Sequence, residues 1–262
     1  MIKMPWVGFC IATFLACASA SWAKINVREE IGFDQKIGQQ IPLDLTFTNE
    51  AGQKVLLKDY FGKRPVILNL VYFECPMLCT EVLNGLLRTL HVLKFNVGQE
   101  FNILTVSFDP RETSILAEKK SKLYHMRYER PVPDNSWPFL TGDEASIRKL
   151  ANAVGFRYVY DASVNQYAHA SGIVVLTPEG KVSRYQFGVE YSPNDLKLSL
   201  IDASQNKIGT AVDQILLYCY RYDPMTGKYG IRIMRTLRLS ALLTLFGVAF
   251  YVTRMLRKER MA

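Results

Sequence analysis

The sequence predicts an α/β fold built on a largely parallel sheet, on three observations. Val66–Val71, apolar but for Asn69, reads as a strand covered on both faces, and Phe101–Phe108 reads as a second buried strand in which Asn102, Thr105 and Ser107 interrupt the apolar residues. Between them Val82, Leu83, Leu86, Leu87, Leu90 and Leu93 recur at helical spacing. Strand, helix and strand in this order form a right-handed crossover, which puts both strand ends on one edge of the sheet. A composition of 49% hydrophobic and 21% charged residues over 262 positions suits one domain with one sizeable core.

The remaining elements follow in chain order. Lys24 to Gln40 has no strong period and reads as an extended lead-in. Leu43–Thr48, the turn Asn49-Glu50-Ala51-Gly52 and Val55–Leu57 predict a hairpin. The crossover helix runs from Cys79 to about Phe95, and a second helix covers Glu112 to about Arg127. Phe139–Thr141 predicts a short strand, Asp143–Val154 a helix stopped by Gly155, and Phe156–Tyr160 another short strand. Asp161–Ala170 reads as a polar loop. Ile173–Leu176, a turn at Pro178-Glu179-Gly180, and Val182–Phe187 form an antiparallel hairpin joined to the parallel sheet. Ser192-Pro193 opens the last helix through a capping residue with proline at its first position.

The formal charge of +8 invites a nucleic-acid reading, which its distribution excludes. Arg221 to Ala262 carries nine Lys or Arg against Asp223 and Glu259, and Lys3 supplies one more charge, so residues 24–220 balance to zero. The basic ends read as targeting devices. Residues 1–23 combine Lys3, an apolar run from Trp6 to Ala18 and small residues at Ser21 and Ala23, the pattern of a signal peptide that takes Cys10 and Cys17 with it. Lipidation of Cys17 is the weaker alternative, because Phe14 stands three positions before it. Leu239–Thr253 is a charge-free stretch between Arg238 and Arg254. With snorkelling arginines it suits a membrane anchor over 231–256, followed by a basic cytoplasmic tail at 257–262; an amphipathic surface helix is the alternative. The exported domain then spans 24–204, and 205–230 is a juxtamembrane connector.

Chemistry is expected where the first buried strand ends, at Cys75-Pro76-Met77-Leu78-Cys79. Pro76 suits a first helical position, so Cys75 stands at the helix start and Cys79 one turn on, on the same face. Such a pair forms a disulfide or grips a soft metal. A bridge closing so small a loop constrains the unfolded chain little, whereas the helix dipole there lowers thiol pKa, which favours a reactive or metal-binding role. His169 is one of three histidines; His91 and His125 lie on helices and read as surface groups. The loop that feeds the third buried strand should carry His169 toward the cysteines, and imidazole with two thiolates makes a three-ligand site suited to copper.

Phe73-Glu74-Cys75-Pro76-Met77-Leu78-Cys79, Val106-Ser107-Phe108-Asp109-Pro110-Arg111-Glu112-Thr113, Leu140-Thr141-Gly142-Asp143 and Tyr167-Ala168-His169 together resemble the Sco/SenC family over roughly residues 38–203. The resemblance implies a thioredoxin-like fold, a central mixed sheet flanked by helices, in a membrane-anchored protein. It also implies that the protein delivers copper to, or reduces the cysteines of, the binuclear copper site of cytochrome c oxidase subunit II. By that likeness Cys75, Cys79 and His169 are copper ligands, and Asp109 is a nearby acid tuning the site.

Three departures from the family stand out. Phe73-Glu74 replaces Thr-His before the first cysteine, Ala168 replaces Asp before the histidine, and the anchor is C-terminal. Glu74 beside Cys75 opposes thiolate formation and favours a bound cation by about 1 kcal/mol or less. Cys219 is the odd thiol left in the mature chain, idle or a third sulfur for the site. A metal-free thiol-disulfide oxidoreductase, with Cys75 attacking and Cys79 resolving, and a redox or copper sensor are the alternative functions.

Overall fold

The central strand of the domain has neighbours on both sides, and everything that positions the candidate site hangs from its C-terminal end. The computed structural model describes residues 30–75, 78–208, 222–223, 228–229, 238–248, 251 and 254, with the backbone alone at 78–79, 222–223 and 228–229. In chain order the strands of the domain are β1 (Gly32–Phe33), β2 (Thr46–Thr48), β3 (Lys54–Leu56), β4 (Val66–Val71), β5 (Asn102–Ser107), β6 (Phe139–Leu140), β7 (Phe156–Asp161), β8 (Gln166–His169), β9 (Gly172–Leu176) and β10 (Val182–Phe187). The helices are α1 (Leu78–Val92), α2 (Ser114–Tyr128), α3 (Glu144–Ala153) and α4 (Pro193–Ser204).

The main sheet has the order β10-β9-β4-β5-β6. β4 and β5 are parallel with Val66 opposite Asn102, and β6 continues the parallel set. β9 lies antiparallel on the other side of β4, Val66 opposite Leu176, and pairs with β10 as the expected hairpin. The crossover is therefore as the sequence predicted, and every residue of β4 is buried. All six apolar positions that predicted α1 are buried too. α1 lies beside α2 and α4, and α4 packs on β9 and β10.

Side chains alternate along β4, so Leu68, Leu70 and Tyr72 face opposite to Ile67, Asn69 and Val71. A second sheet, β1-β7-β8, covers the face of Tyr72: the rings of Tyr72 and Phe108 meet Tyr167 and His169, and Phe108 also meets Phe156 and Tyr158. This sheet corrects two expectations. The lead-in is not merely extended, since Gly32–Phe33 pairs with Phe156–Arg157 and Gly38 donates to the Val182 carbonyl. The polar segment from 161 to 170 is a turn followed by the strand Gln166–His169, which folds back on β7 with Tyr158 opposite His169. Its one tyrosine, Tyr167, supplies apolar surface that a reading of polar residues passes over. His125 is likewise half-buried, with its ring against Trp137 and Phe139, whereas His91 is exposed as expected.

The hairpin β2–β3 turns on Asn49, whose Oδ1 accepts the N–H groups of Ala51 and Gln53. It joins the edge of the domain through paired backbone bonds between Thr48 and Thr141. Asp143 caps α3 by accepting from the Ser146 N–H, and Ser192 caps α4 by accepting from Asp195, with Pro193 first in the helix. Gly155 ends α3 at φ +64°, where a Cβ would lie 1.9 Å from the Asp34 carbonyl oxygen, so no other residue fits.

Tyr222–Asp223 and Lys228–Tyr229 form a two-stranded ribbon. Residues 238–248 are helical and exposed, with Leu239, Leu243, Leu245 and Phe246 each more than half accessible. Among the described residues no helix is long and apolar enough to cross a membrane. The signal peptide at 1–23, Pro76, Cys219 and parts of the 231–256 span and of the connector lie outside the described residues.

Candidate metal and thiol site

β4 delivers the chain to a turn at Phe73-Glu74, and Cys75 follows it with 7% of its surface exposed. The Cys75 N–H donates to the Tyr72 carbonyl at 3.3 Å, and Thr80 Oγ1 donates to the Cys75 carbonyl at 3.2 Å, which ties the cysteine to the first turn of α1. Cys79 is the second residue of α1, so its backbone belongs to that turn; its side chain lies outside the described residues.

His169 is the last residue of β8, with 9% of its surface exposed. Its Nδ1 lies 2.9 Å from the Ala170 carbonyl, so it is the Nδ1–H that donates there and Nε2 that is left as the acceptor or ligand nitrogen. Three rings enclose the imidazole: Phe108 at 5.2 Å, Tyr72 at 6.0 Å and Phe156 at 6.2 Å between centroids. Tyr72 thereby connects two of the predicted site residues, its carbonyl to Cys75 and its ring to His169. The register of β9 on β4 agrees, because continuing it past Gly172 carries the chain back toward the turn that holds Cys75.

Asp109 stands on the same edge, where the crossover placed it, and is 5% exposed. Its carboxylate is taken by Arg111, which donates its backbone N–H at 2.9 Å, Nε at 2.9 Å and a terminal guanidinium nitrogen at 2.7 Å. The guanidinium stacks over the rings of Tyr160 and Tyr167, and the Asp109 bonds hold its pKa further above the ordinary arginine range. Burial, then the neighbouring Asp109 charge, pushes the Tyr167 phenol up to about 12. Paired with Arg111, which also reaches Tyr160 and Asn165, Asp109 fastens the β7–β8 hairpin to the end of β5, a structural use the sequence did not reveal.

Glu74 is exposed. Its backbone N–H and that of Phe73 donate to the two oxygens of Glu112, each at 2.8 Å, and Ser107 Oγ donates to the same carboxylate. Glu112 was not among the expected site residues. Burial raises its pKa, against the lowering effect of the bonds from Phe73, Ser107 and Glu74. Among the described residues no three His, Cys, Asp or Glu side chains form a metal-holding group, so a three-ligand site would draw on a side chain outside them, as that of Cys79 is.

A family model described as SCO1/SenC matches residues 34–200. The chain belongs to the SCO1/SenC family. The SCO1 protein homolog of Bacillus subtilis (strain 168) is 27% identical over 171 residues, which cover 60% of this chain and 83% of the relative. A putative electron transfer protein from Aquifex aeolicus VF5 superimposes with a TM-score of 0.58 at 26% identity, over 67% of this chain and 98% of that one. Arabidopsis thaliana ScoI, solved with copper bound, shares the fold with a TM-score of 0.51 at 19% identity, over 62% of this chain and 96% of that one. The thioredoxin-like α/β arrangement is therefore that of solved Sco structures.

Proposed function

We propose that this SCO1/SenC protein binds copper as cargo through Cys75, Cys79 and His169 and passes it to the binuclear copper site of cytochrome c oxidase subunit II or a related copper-site protein. The observation that carries this reading is the position of Tyr72, whose carbonyl receives the Cys75 N–H and whose ring packs on His169. The donor set fits the cargo. Thiolate and imidazole are soft to intermediate ligands, and the rings around His169 keep water from competing at that nitrogen. Family membership and the copper-bound Arabidopsis relative point the same way. Both thiols must be reduced and deprotonated to take the metal, so loading releases protons and is blocked by a Cys75–Cys79 disulfide.

The domain over 24–204 works on the exported, periplasmic side in this reading, after loss of residues 1–23. The tail tethers it: apolar side chains exposed on the 238–248 helix, together with Arg254, Arg257, Lys258 and Arg260, suit a membrane anchor over 231–256 with 257–262 on the cytoplasmic side. Flotation of the full chain with phospholipid vesicles tests the tether, and loss of flotation on deleting residues 231–262 is expected.

Transfer is tested by mixing the copper-loaded chain with the reduced copper-site domain of an oxidase subunit II and following the copper and the thiols of both proteins. Movement of copper with both thiol counts unchanged supports the reading. If no copper moves, and the reduced, copper-free chain reduces the cysteines of the same domain presented in its oxidised form, the protein is a thiol-disulfide oxidoreductase instead.

A further inference from the structure

Glu112 occupies a position that no expected role explains. The parallel ladder of β4 with β5 ends where the Phe108 N–H donates to the Val71 carbonyl at 2.9 Å. Beyond that bond β5 turns off at Asp109-Pro110, so the next N–H groups of the β4 chain have no strand partner. Glu112 supplies one for both. Oε2 accepts from Phe73 and Oε1 from Glu74, each at 2.8 Å, and Ser107 Oγ holds Oε2 from behind. The acceptor is itself fixed, because its own N–H donates to the Asp109 carbonyl at 3.2 Å.

Two consecutive N–H groups bound by the two oxygens of one carboxylate fix a peptide in orientation as well as in place. Phe73 is fixed on its other side too, 2% exposed with its ring 5.8 Å from that of Phe139. The residue after Glu74 is Cys75. A turn anchored in this way sets where the thiol stands, and Tyr72, one residue before the clamp, carries the same constraint to His169. Aspartate, one methylene shorter, cannot reach both N–H groups while keeping Ser107. Glutamine presents one acceptor and one donor, so its amide nitrogen opposes one of the two N–H groups.

We propose that Glu112 is the positioning residue of the site, fixing through Phe73 and Glu74 where the Cys75 sulfur stands relative to His169. The proposal rests on the copper reading for its metal readout and is independent of that reading for its thiol readout.

The test uses the full-length chain in detergent as wild type, Glu112→Gln, Glu112→Asp and a stability control, Asp143→Ala, which removes a helix cap away from the turn. Three quantities are measured: the rate of iodoacetamide alkylation of Cys75 by fragment mass, the copper–thiolate absorption and paramagnetic spectra, and the melting temperature. Glu112→Gln is expected to change the alkylation rate by about tenfold and to shift the copper–thiolate spectra, while Asp143→Ala melts lower with wild-type values for both. Wild-type alkylation and spectra in a folded Glu112→Gln protein overturn the proposal. If the wild type takes up no copper, the copper reading fails and the alkylation arm still decides the role of Glu112. If neither Glu112 variant folds, hydrogen exchange of the Phe73 and Glu74 amides in the wild type decides it: slow exchange is expected, and exchange at unprotected rates overturns it.

Discussion

The ring of Tyr72 stands edge-on to the ring of His169, with 6.0 Å between centroids and an interplanar angle of 78°. The same tyrosine lies three residues before Cys75 and accepts its N–H. A histidine from the second sheet and a cysteine from the end of the central strand are thus referred to one residue, the first through its ring and the second through its carbonyl. Phe108, the residue after β5, packs on both rings, 5.5 Å from Tyr72 and 5.2 Å from His169 between centroids.

That relationship predicts a selective effect of replacing the ring. Tyr72→Leu keeps an apolar side chain in the strand and removes the aromatic contacts with Phe108, Tyr167 and His169. Aromatic pairs contribute about 0.5–1.5 kcal/mol each beyond area burial, so a loss of roughly 2 kcal/mol in chemical denaturation is expected. Copper affinity should fall by more than this loss of stability accounts for, because the imidazole is released from its packing. Unaltered copper affinity in a destabilised Tyr72→Leu protein would show that the ring does not position His169.

Arg130 fixes the far end of the cysteine helix. Its guanidinium donates to the carbonyls of Leu90, His91, Leu93 and Phe95, which take in the unpaired C-terminal carbonyls of α1, and it stacks on Tyr128. Removing so many charge-assisted bonds with Arg130→Ala should cost about 2–3 kcal/mol in urea unfolding. Arg130→Lys should recover less than half of it, since an ammonium cannot serve the spread of carbonyls that a planar fork does. Equal stability of the lysine variant and wild type would refute the clamp.

Asp143 gives a dependence on pH. Its carboxylate caps α3, and the bonds from the Ser146 backbone and hydroxyl lower its pKa below the ordinary aspartate value. For an acid with a depressed folded pKa, the stabilisation is complete above the unfolded value, near 3.9, and is lost as pH falls through the folded one. Asp143→Ala should therefore cost about 1 kcal/mol at pH 7 and less in acid. Asp143→Asn should keep most of the cap and lose that part of the acid dependence. Melting curves from pH 7 to pH 2.5 separate the three proteins, and parallel pH profiles would contradict the assignment.

The parts of the fold that could be read from the sequence were those with a strong period. β4 and β9 are nearly continuous apolar runs, β5 is marked by Ile103, Leu104 and Val106, α1 carries an unbroken apolar stripe, and α3 and α4 begin at side-chain caps. The second sheet escaped because β1 is only two residues long and β8 is written in Gln, Tyr, Ala and His, with its apolar character carried by Tyr167. Cys75 could be placed from the crossover alone, as could the edge on which Asp109 stands. What Asp109 does there could not, because its partner Arg111 is set by a turn and by two tyrosines from the hairpin. Glu112 was hidden for a related reason: its bonds reach back 38 and 39 residues to backbone groups, and backbone groups leave no mark on a sequence.

The copper site itself is tested most directly by titrating copper into the reduced full-length chain and into His169→Ala, with disulfide exchange assayed on both. One copper per chain in the wild type is expected, with affinity lowered at least tenfold in His169→Ala while thiol exchange continues at the wild-type rate. Equal copper affinity in the two proteins would remove His169 from the site and leave Cys75 and Cys79 as a thiol pair.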